Sequence, residues 1–313
     1  MSAFLLDRFR GCLLGSALGD ALGGRFEARR PEHLRERFPG VEALFDYPQD
    51  ELWYTDDAQM MIGVAEALIT DGHIVEETLV RAFATNYVPS RGYGRGARVV
   101  LEAMEDGRDY RRIAAEHFPG GSYGNGAAMR VAPVGLVFRD DFERCVEEAK
   151  LSSLPTHVHP LGIEGAQLIA LAVSLASHAK SPFDRDAFFD RLLAICTTDE
   201  YRQQMELASK AQTAEDLAGL GNRIEALFSA PTAIASFAIS PESYIETVGR
   251  VILLGGDTDT LAAMAGAISG AYLGESRLPT RLVNLIESSP KGRAYIARLA
   301  DQLFDVYQKM GAP

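Results

Sequence analysis

Apolar residues recur along the chain at the spacing of an α-helix, and this pattern predicts a protein built from helices. Residues 58–70 place apolar side chains around most of a helix, with Thr55 or Asp56 as the N-cap and Gly72 just past the end. The same pattern predicts helices over residues 161–178, 186–196, 243–254, 260–273 and 291–308.

Candidates for β-strands are few. Residues 131–138 have some β-branched character, but Pro133 and Gly135 weaken a strand there. Residues 206–230 are polar, rich in alanine and free of proline, which predicts exposed helix rather than a linker. Strands and helices do not alternate as they would in a doubly wound sheet. We therefore expect one all-α domain over residues 1–313, a compact orthogonal bundle of many helices.

Glycines at four-residue spacing mark two of these helices. The two runs are Gly11, Gly15, Gly19 and Gly23, and Gly266, Gly270 and Gly274. Each run lies on one helix face, where another backbone can come close. A glycine inside a helix costs about 0.5–1 kcal/mol relative to alanine, so its repeated use indicates a packing role. We expect the two helices to pack on neighbours or on each other, which would bring Asp20 and Glu27 towards Asp257 and Asp259.

Composition and charge limit the classes of partner. The chain is 47% hydrophobic and 24% charged, as globular proteins are. Its net charge of −12 argues against binding nucleic acid, although backbone N–H groups can still bind a small anion. The scattered cysteines Cys12, Cys145 and Cys196 favour reduced thiols and a cytoplasmic location. No segment approaches the ~20 apolar residues of a transmembrane helix, so no membrane partner is expected.

Two acidic strings lie where a loop enters a helix, at residues 55–57 (Thr-Asp-Asp) and 257–260 (Asp-Thr-Asp-Thr). Hard cations such as Mg²⁺ prefer oxygen ligands, and clustered carboxylates otherwise repel one another. Helix capping accounts for each string equally well, so both interpretations stay open. An EF-hand is excluded because its sixth and twelfth positions would hold Ala262 and Ile268.

A glycine-rich loop at residues 120–126 (Gly-Gly-Ser-Tyr-Gly-Asn-Gly) suits a nucleotide diphosphate. Glycines expose backbone N–H groups, Ser122 and Asn125 add hydrogen bonds, and Tyr123 offers an aromatic face. A plain loop with left-handed turns is the alternative. Residues 91–96 (Arg-Gly-Tyr-Gly-Arg-Gly) carry a weaker version of the signal.

His157 and His159 could together bind zinc, but no further Cys or His cluster accompanies them. We favour a histidine that hydrogen-bonds a ligand or closes a polar network. The remaining histidines, His33, His73, His117 and His178, have no supporting context and are expected to be structural or on the surface.

The order of these motifs along the chain resembles that of the ADP-ribosylglycohydrolase family. Asp20 with Glu27 comes first, then Tyr-Thr-Asp-Asp-x-Gln-Met at residues 54–60 and Gly-Asn-Gly-Ala-Ala-Met-Arg at 124–130. Thr-His at residues 156–157 and Gly-Gly-Asp-Thr-Asp-Thr at 255–260 follow. The resemblance implies an all-α fold with a dinuclear cleft that holds two Mg²⁺ ions, or Mn²⁺ in their place. This sequence departs from the family pattern at Ala58, where the family often has a threonine.

The resemblance also implies a role for particular residues. The implied metal ligands are Thr55, Asp56, Asp57, Asp257, Asp259 and Thr260. The implied lining of the ADP-ribose groove is Gly92, Ser122, Tyr123, Gly124, Asn125, Gly126, Met129 and His157. Glu27 would be a mobile carboxylate beside the ions, catalytic together with Asp56 and Asp257.

The implied activity is hydrolysis of the C1″ glycosidic bond of ADP-ribose carried by a protein or polymer. The strings at residues 91–96 and 121–126 look closer to the branch that cleaves O-glycosidic bonds, in serine-linked ADP-ribose, poly(ADP-ribose) or O-acetyl-ADP-ribose. The arginine-specific branch, which cleaves an N-glycosidic bond, is the enzymatic alternative. A relative that binds ADP-ribose without hydrolysis is the alternative from another class, and the intact carboxylates count against it.

Overall fold

The structure is a computed structural model that describes residues 2–48 and 50–311. Within those residues the protein contains eighteen α-helices and no β-strand, and two isolated β-bridges join loops. The α-helices are α1 (Ser2–Gly23), α2 (Pro31–Arg37), α3 (Val41–Asp46), α4 (Asp56–Asp71), α5 (Glu76–Asn86), α6 (Arg95–Glu105), α7 (Tyr110–His117), α8 (Ala132–Val137), α9 (Phe142–Ser153), α10 (Pro160–His178), α11 (Arg185–Ala194), α12 (Asp199–Lys210), α13 (Ala214–Leu220), α14 (Ala226–Ile239), α15 (Tyr244–Leu253), α16 (Thr258–Leu273), α17 (Thr280–Val283) and α18 (Arg293–Lys309). The predicted all-α fold is confirmed.

Helices α1 and α16 pack directly against each other, and every residue of α16 is buried. Their glycine faces meet: a Cβ atom added to Gly15 would lie 2.5 Å from the carbonyl oxygen of Gly266. The sequence left open whether the two glycine-bearing helices pack on neighbours or on each other, and the structure shows that they pack on each other. The last turn of α1 meets the first turn of α16, where the Thr258 hydroxyl donates a hydrogen bond to the Gly23 carbonyl at 2.8 Å.

Helix α4 begins and ends at the residues that the sequence predicts. Thr55 is its N-cap and accepts a hydrogen bond from the Asp57 amide, while Gly72 ends it with a φ of +73°. A left-handed residue after the last turn favours glycine because it has no Cβ atom. The two acidic strings thus lie at the first turns of two buried helices, α4 and α16.

The structure differs in two segments from what the sequence pattern suggests. Residues 131–138, a strand candidate already weakened by Pro133 and Gly135, contain helix α8, with proline in its first turn, a position that proline tolerates because the N–H there has no helical partner. Residues 206–230 are helical but not one exposed helix. A capping box formed by Thr213 and Asp216 starts α13, and α14 is largely buried.

Helix α10 is long and apolar enough to cross a membrane by length and composition alone, which the sequence analysis overlooked. In the fold, 72% of its apolar window is buried. It packs against α9, α14 and α16, so its apolar sequence is accounted for by its place in the core. The three cysteines are buried and free, as the sequence predicts.

Candidate active site

A cavity of about 350 Å³ lies beside the first turns of α4 and α16, within the size range of small-molecule sites. The resemblance implies fifteen metal-ligand, groove and catalytic residues, and all but two of them line this cavity. They are Glu27, Asp56, Asp57, Gly92, Ser122, Gly124, Asn125, Gly126, Met129, His157, Asp257, Asp259 and Thr260. The exceptions are Thr55, whose hydroxyl turns to Asp20, and Tyr123, whose side chain is 52% exposed outside the cavity wall.

Asp20, fully buried near the end of α1, holds the start of α4 in place. Its carboxylate accepts hydrogen bonds from the Thr55 hydroxyl at 2.7 Å, the Thr55 amide at 2.9 Å and the Ala58 amide at 2.9 Å. Burial raises the pKa of Asp20 to about 6, although these hydrogen bonds oppose the rise. Asp20 therefore fixes the turn that presents Asp56 and Asp57.

The carboxylates of Asp56, Asp57 and Asp259 form a buried cluster of like charge. Burial and neighbouring carboxylates raise the pKa of Asp56 to about 7 and that of Asp259 to about 9. The same causes raise the pKa of Asp57 well above its ordinary value. Among residues 2–48 and 50–311, no lysine or arginine is within ion-pair distance of these three side chains. The cluster therefore lacks a counter-charge from the described protein.

The contacts of the Asp257 side chain distinguish between helix capping and a role in the cavity, the two interpretations that the sequence leaves open. Asp257 occupies the N-cap position of α16, yet its carboxylate makes no capping hydrogen bond. It accepts instead from the Asn125 side-chain amide at 2.6 Å and lines the cavity. Capping accounts for Thr55 but not for Asp257.

The donor set fits a hard divalent cation in its chemistry. Carboxylate and hydroxyl oxygens are the ligands that Mg²⁺ prefers. One carboxylate oxygen of Asp57, Oδ1, is buried and has no hydrogen-bond partner among the described residues. No three His, Cys, Asp or Glu side chains in the described part of the chain form a ready-made metal cage. We expect a bound cation to draw the mutually repelling carboxylates together.

Gly92 lies opposite Asp56 on the loop that leads to α6. Its φ is +95°, a value that favours glycine, whereas a Cβ atom there would be in ordinary van der Waals contact with Oδ1 of Asp56, at 3.6 Å. The neighbouring Arg91 anchors this loop. Its guanidinium donates to the Glu287 carboxylate at 2.8 Å and to the Tyr54 carbonyl at 2.8 Å.

An apolar wall of the cavity escaped the sequence analysis. It is formed by Ala97, Val100 and Leu101 of α6 together with Phe118. The Phe118 ring packs over Gly96, where a Cβ atom would overlap it. Such a wall suits the planar aromatic part of a ligand. The one available signal was the glycine at position 96, because the other residues look like an ordinary amphipathic helix.

His157 is buried in the cavity wall at the end of a hydrogen-bonded chain. Arg130 donates to the Thr156 hydroxyl at 2.7 Å, and that hydroxyl lies 2.7 Å from Nδ1 of His157. The Thr156 hydroxyl accepts from Arg130 and either donates its proton to Nδ1 or accepts from Nδ1–H while it donates to the Ser153 carbonyl at 3.4 Å, and in both cases the contact orients the imidazole. Burial and the charge of Arg130 lower the pKa of His157 to about 3, so the imidazole is neutral. His159 is the N-cap of α10, and its Nδ1 accepts a hydrogen bond from the Leu161 amide. Because the two histidines have separate roles, a shared zinc site is not supported.

An all-α fold and a cavity lined by several aspartates are together what an all-helical enzyme with an acidic active site would show. A sequence model of the ADP-ribosylglycohydrolase family matches residues 1–313. The chain belongs to the ADP-ribosylglycohydrolase family. It is therefore a glycohydrolase whose ligand contains ADP-ribose, and the resemblance found in the sequence is confirmed.

Several named relatives align over nearly the whole chain. The protein named ADP-ribosylhydrolase ARH3 from Danio rerio is 33% identical, with 97% of this chain and 91% of the relative covered. The protein of the same name from Homo sapiens is 35% identical, with 97% and 94% covered. A solved structure described as an ADP-ribosylglycohydrolase-related protein complex matches with a TM-score of 0.72 and 24% identity, covering 97% of this chain and 99% of that one. At that identity the solved structure supports the fold alone.

Proposed function

We propose that this protein hydrolyses ADP-ribose attached through oxygen, as in serine-linked ADP-ribose, poly(ADP-ribose) or O-acetyl-ADP-ribose. The observation that carries the proposal is the full-length similarity to proteins named ADP-ribosylhydrolase ARH3. The two glycine-rich strings that resemble the O-glycosidic branch also contribute residues to the cavity wall, including Gly92, Ser122 and Asn125. The reaction would release ADP-ribose from a modified protein or polymer.

We also propose that two Mg²⁺ ions, or Mn²⁺ in their place, bind beside the cavity. Their ligands would be Thr55, Asp56, Asp57, Asp257, Asp259 and Thr260. When bound, the ions supply positive charge that orients the ribose and neutralises the carboxylates. Thr55 remains able to bind through oxygen, because its hydroxyl proton goes to Asp20 and only one of its two lone pairs accepts from the Asp57 amide.

Glu27 is the candidate for proton transfer. Its exposed side chain lines the cavity beside Asp257. Partial burial and the negative charge of Asp257 raise the pKa of Glu27, which brings it closer to the range useful at neutral pH. Glu27 would activate water or protonate the leaving oxygen. The carboxylates of Asp56 and Asp257 would stabilise the positive charge that develops on the sugar as the bond breaks.

A release assay tests the linkage and the metal together. Peptides carrying ADP-ribose on serine or on arginine are incubated with the enzyme, with Mg²⁺ or with EDTA. We expect release from the serine-linked peptide with Mg²⁺, and at least about a 100-fold slower reaction in EDTA because the carboxylates then lack their counter-charge. Release from the arginine-linked peptide alone would overturn the proposed linkage, and full activity in EDTA would overturn the proposed metals.

Thr156→Val is expected to raise KM by about 3- to 10-fold, with a smaller change in kcat. The substitution removes the hydroxyl that holds Nδ1 of His157 and orients its imidazole. A neutral hydrogen bond from the imidazole to the ligand is worth about that much. Steady-state kinetics measure the effect, and ¹⁵N spectra of the imidazole report the tautomer. Thr156→Ser keeps the hydroxyl and is the matched control. Equal KM values and equal tautomer signals in the two variants would contradict the positioning role of Thr156.

A further inference from the structure

A shallower depression of about 390 Å³ adjoins the cavity. We call it the lateral groove, and its walls are residues 27–28, 222–225 and 256–257. Glu27, Ile224 and Asp257 line both the cavity and the lateral groove. A ligand that fills the cavity can therefore extend into the lateral groove past the candidate proton-transfer residue. This position suits the leaving group of a glycosidic bond broken beside Glu27.

Hydrogen bonds between three chain segments hold the walls of the lateral groove together. The amide of Ala28 donates to the carbonyl of Gly256 at 2.8 Å, and the amide of Gly256 donates to the carbonyl of Arg29 at 3.1 Å. The amide of Asp257 donates to the carbonyl of Asn222 at 3.1 Å. Ala28 has a φ of +59°, an unfavourable value for a residue with a Cβ atom, which persists only where the surroundings enforce it. The walls of the lateral groove are thus held in a fixed arrangement by the fold.

The lateral groove is negatively charged. Three carboxylates, of Glu27, Glu225 and Asp257, face one guanidinium, that of Arg223. Arg223 is engaged elsewhere, because it stacks on the Phe228 ring at 4.3 Å. A cationic group in the lateral groove would therefore be attracted by the carboxylates.

The carboxylate of Glu225 is available to a ligand. Glu225 is the N-cap of α14, but its side chain makes no capping hydrogen bond. Across residues 2–48 and 50–311, neither Glu225 nor Glu27 forms an ion pair. Glu225 and Asp257 both line the lateral groove, so a group bound there lies near both carboxylates.

Ile224 adds an apolar surface between the two spaces. Its side chain is 66% exposed, the highest value among the exposed large hydrophobic side chains of the described residues. A lysine or arginine has an aliphatic stem and a charged head, which matches an exposed isoleucine beside a free carboxylate. Leaving groups without a positive charge, such as acetate or the ribose hydroxyl of a polymer, would not use the free carboxylate.

We propose that the lateral groove binds the polypeptide that carries ADP-ribose and favours a lysine or arginine next to the modified residue. The carboxylate of Glu225 would attract the charged head of that lysine or arginine and so produce the preference. The inference rests on the proposed function, because the groove matters only if the leaving group is a polypeptide.

The test compares ADP-ribosylated serine peptides that differ only in the residue next to the serine, which is lysine, alanine or glutamate. We expect kcat/KM to be about fivefold higher for lysine than for alanine, the size of one exposed ion pair, and lower for glutamate. Glu225→Gln should bring the lysine-to-alanine ratio close to 1, and Glu225→Lys should make the glutamate peptide the best substrate.

The double variant Glu206→Gln, Leu207→Ser is the matched control, since it removes an exposed carboxylate and an exposed apolar side chain from α12. It should keep the wild-type preference. Equal rates on all three peptides in the wild type would overturn the lateral-groove proposal, as would an unchanged preference in Glu225→Lys. Failure to release ADP-ribose from all three peptides, from O-acetyl-ADP-ribose and from poly(ADP-ribose) would instead overturn the proposed function.

Discussion

Asp257→Ala is expected to lower kcat by about 1000-fold while the protein stays folded. The carboxylate lines the cavity, is held by Asn125 at 2.6 Å and makes no capping hydrogen bond within α16. Its loss removes a ligand from the proposed metal centre. It also removes a negative charge from beside the sugar whose glycosidic bond is broken. Removing one of several buried like charges also relieves repulsion, which offsets the cost of leaving the Asn125 amide without its acceptor.

Asp184→Ala provides the matched control, because Asp184 is an N-cap whose carboxylate does accept a hydrogen bond, from the Ala187 amide at 3.0 Å. That variant should lose about 1 kcal/mol of unfolding free energy and keep its activity. Asp257→Ala should instead lose its activity and keep its free energy of unfolding. Release assays give kcat, and denaturant unfolding gives the free energy. An active Asp257→Ala variant that unfolds as easily as Asp184→Ala would mean that Asp257 is only a helix cap.

Sequence patterns predicted those elements whose signals are local. Helix α4 was predicted over residues 58–70 and spans Asp56–Asp71, because both of its ends carry capping residues. The crossing of α1 and α16 was predicted because glycine at every fourth position removes the side chains that would keep two backbones apart. Helix α8 was missed because it is buried on all sides, so its sequence has no polar face to reveal a helical period.

The candidate site was predictable where its residues lie in compact motifs and not where they act across the fold. Gln59 stands in the same motif as Asp56, yet its role appears only in the structure, where it accepts hydrogen bonds from the Tyr93 hydroxyl at 2.7 Å and the Val88 amide at 3.0 Å. Arg130 likewise acts through Thr156, 26 residues further along the chain. Partners this distant in sequence leave no mark on local spacing.

Without divalent cations, the free energy of unfolding is expected to fall by roughly 2–3 kcal/mol between pH 6.5 and pH 8.5. Burial and neighbouring carboxylates raise the pKa of Asp259 to about 9, whereas in the unfolded chain this group ionises near 4. Between these two values the folded protein holds a proton that the unfolded chain has released, so raising the pH favours unfolding. Below pH 6.5 His157 acts in the opposite direction, since its pKa is lowered to about 3.

Urea unfolding of EDTA-treated protein at pH 6.5 and pH 8.5 measures this fall. Asp259→Asn should reduce the pH dependence, because the amide does not ionise, and should leave the smaller contribution of Asp56, whose pKa is raised to about 7. Asp199→Asn, at an exposed first-turn position of α12, should keep the pH dependence of the wild type. Saturating Mg²⁺ should raise the stability more at pH 8.5 than at pH 6.5, because the cation binds the ionised carboxylates and competes with the proton. If the EDTA-treated wild type and Asp259→Asn showed the same pH dependence, the buried carboxylates would not be the source of the instability. The charge that Mg²⁺ is proposed to neutralise would then be absent.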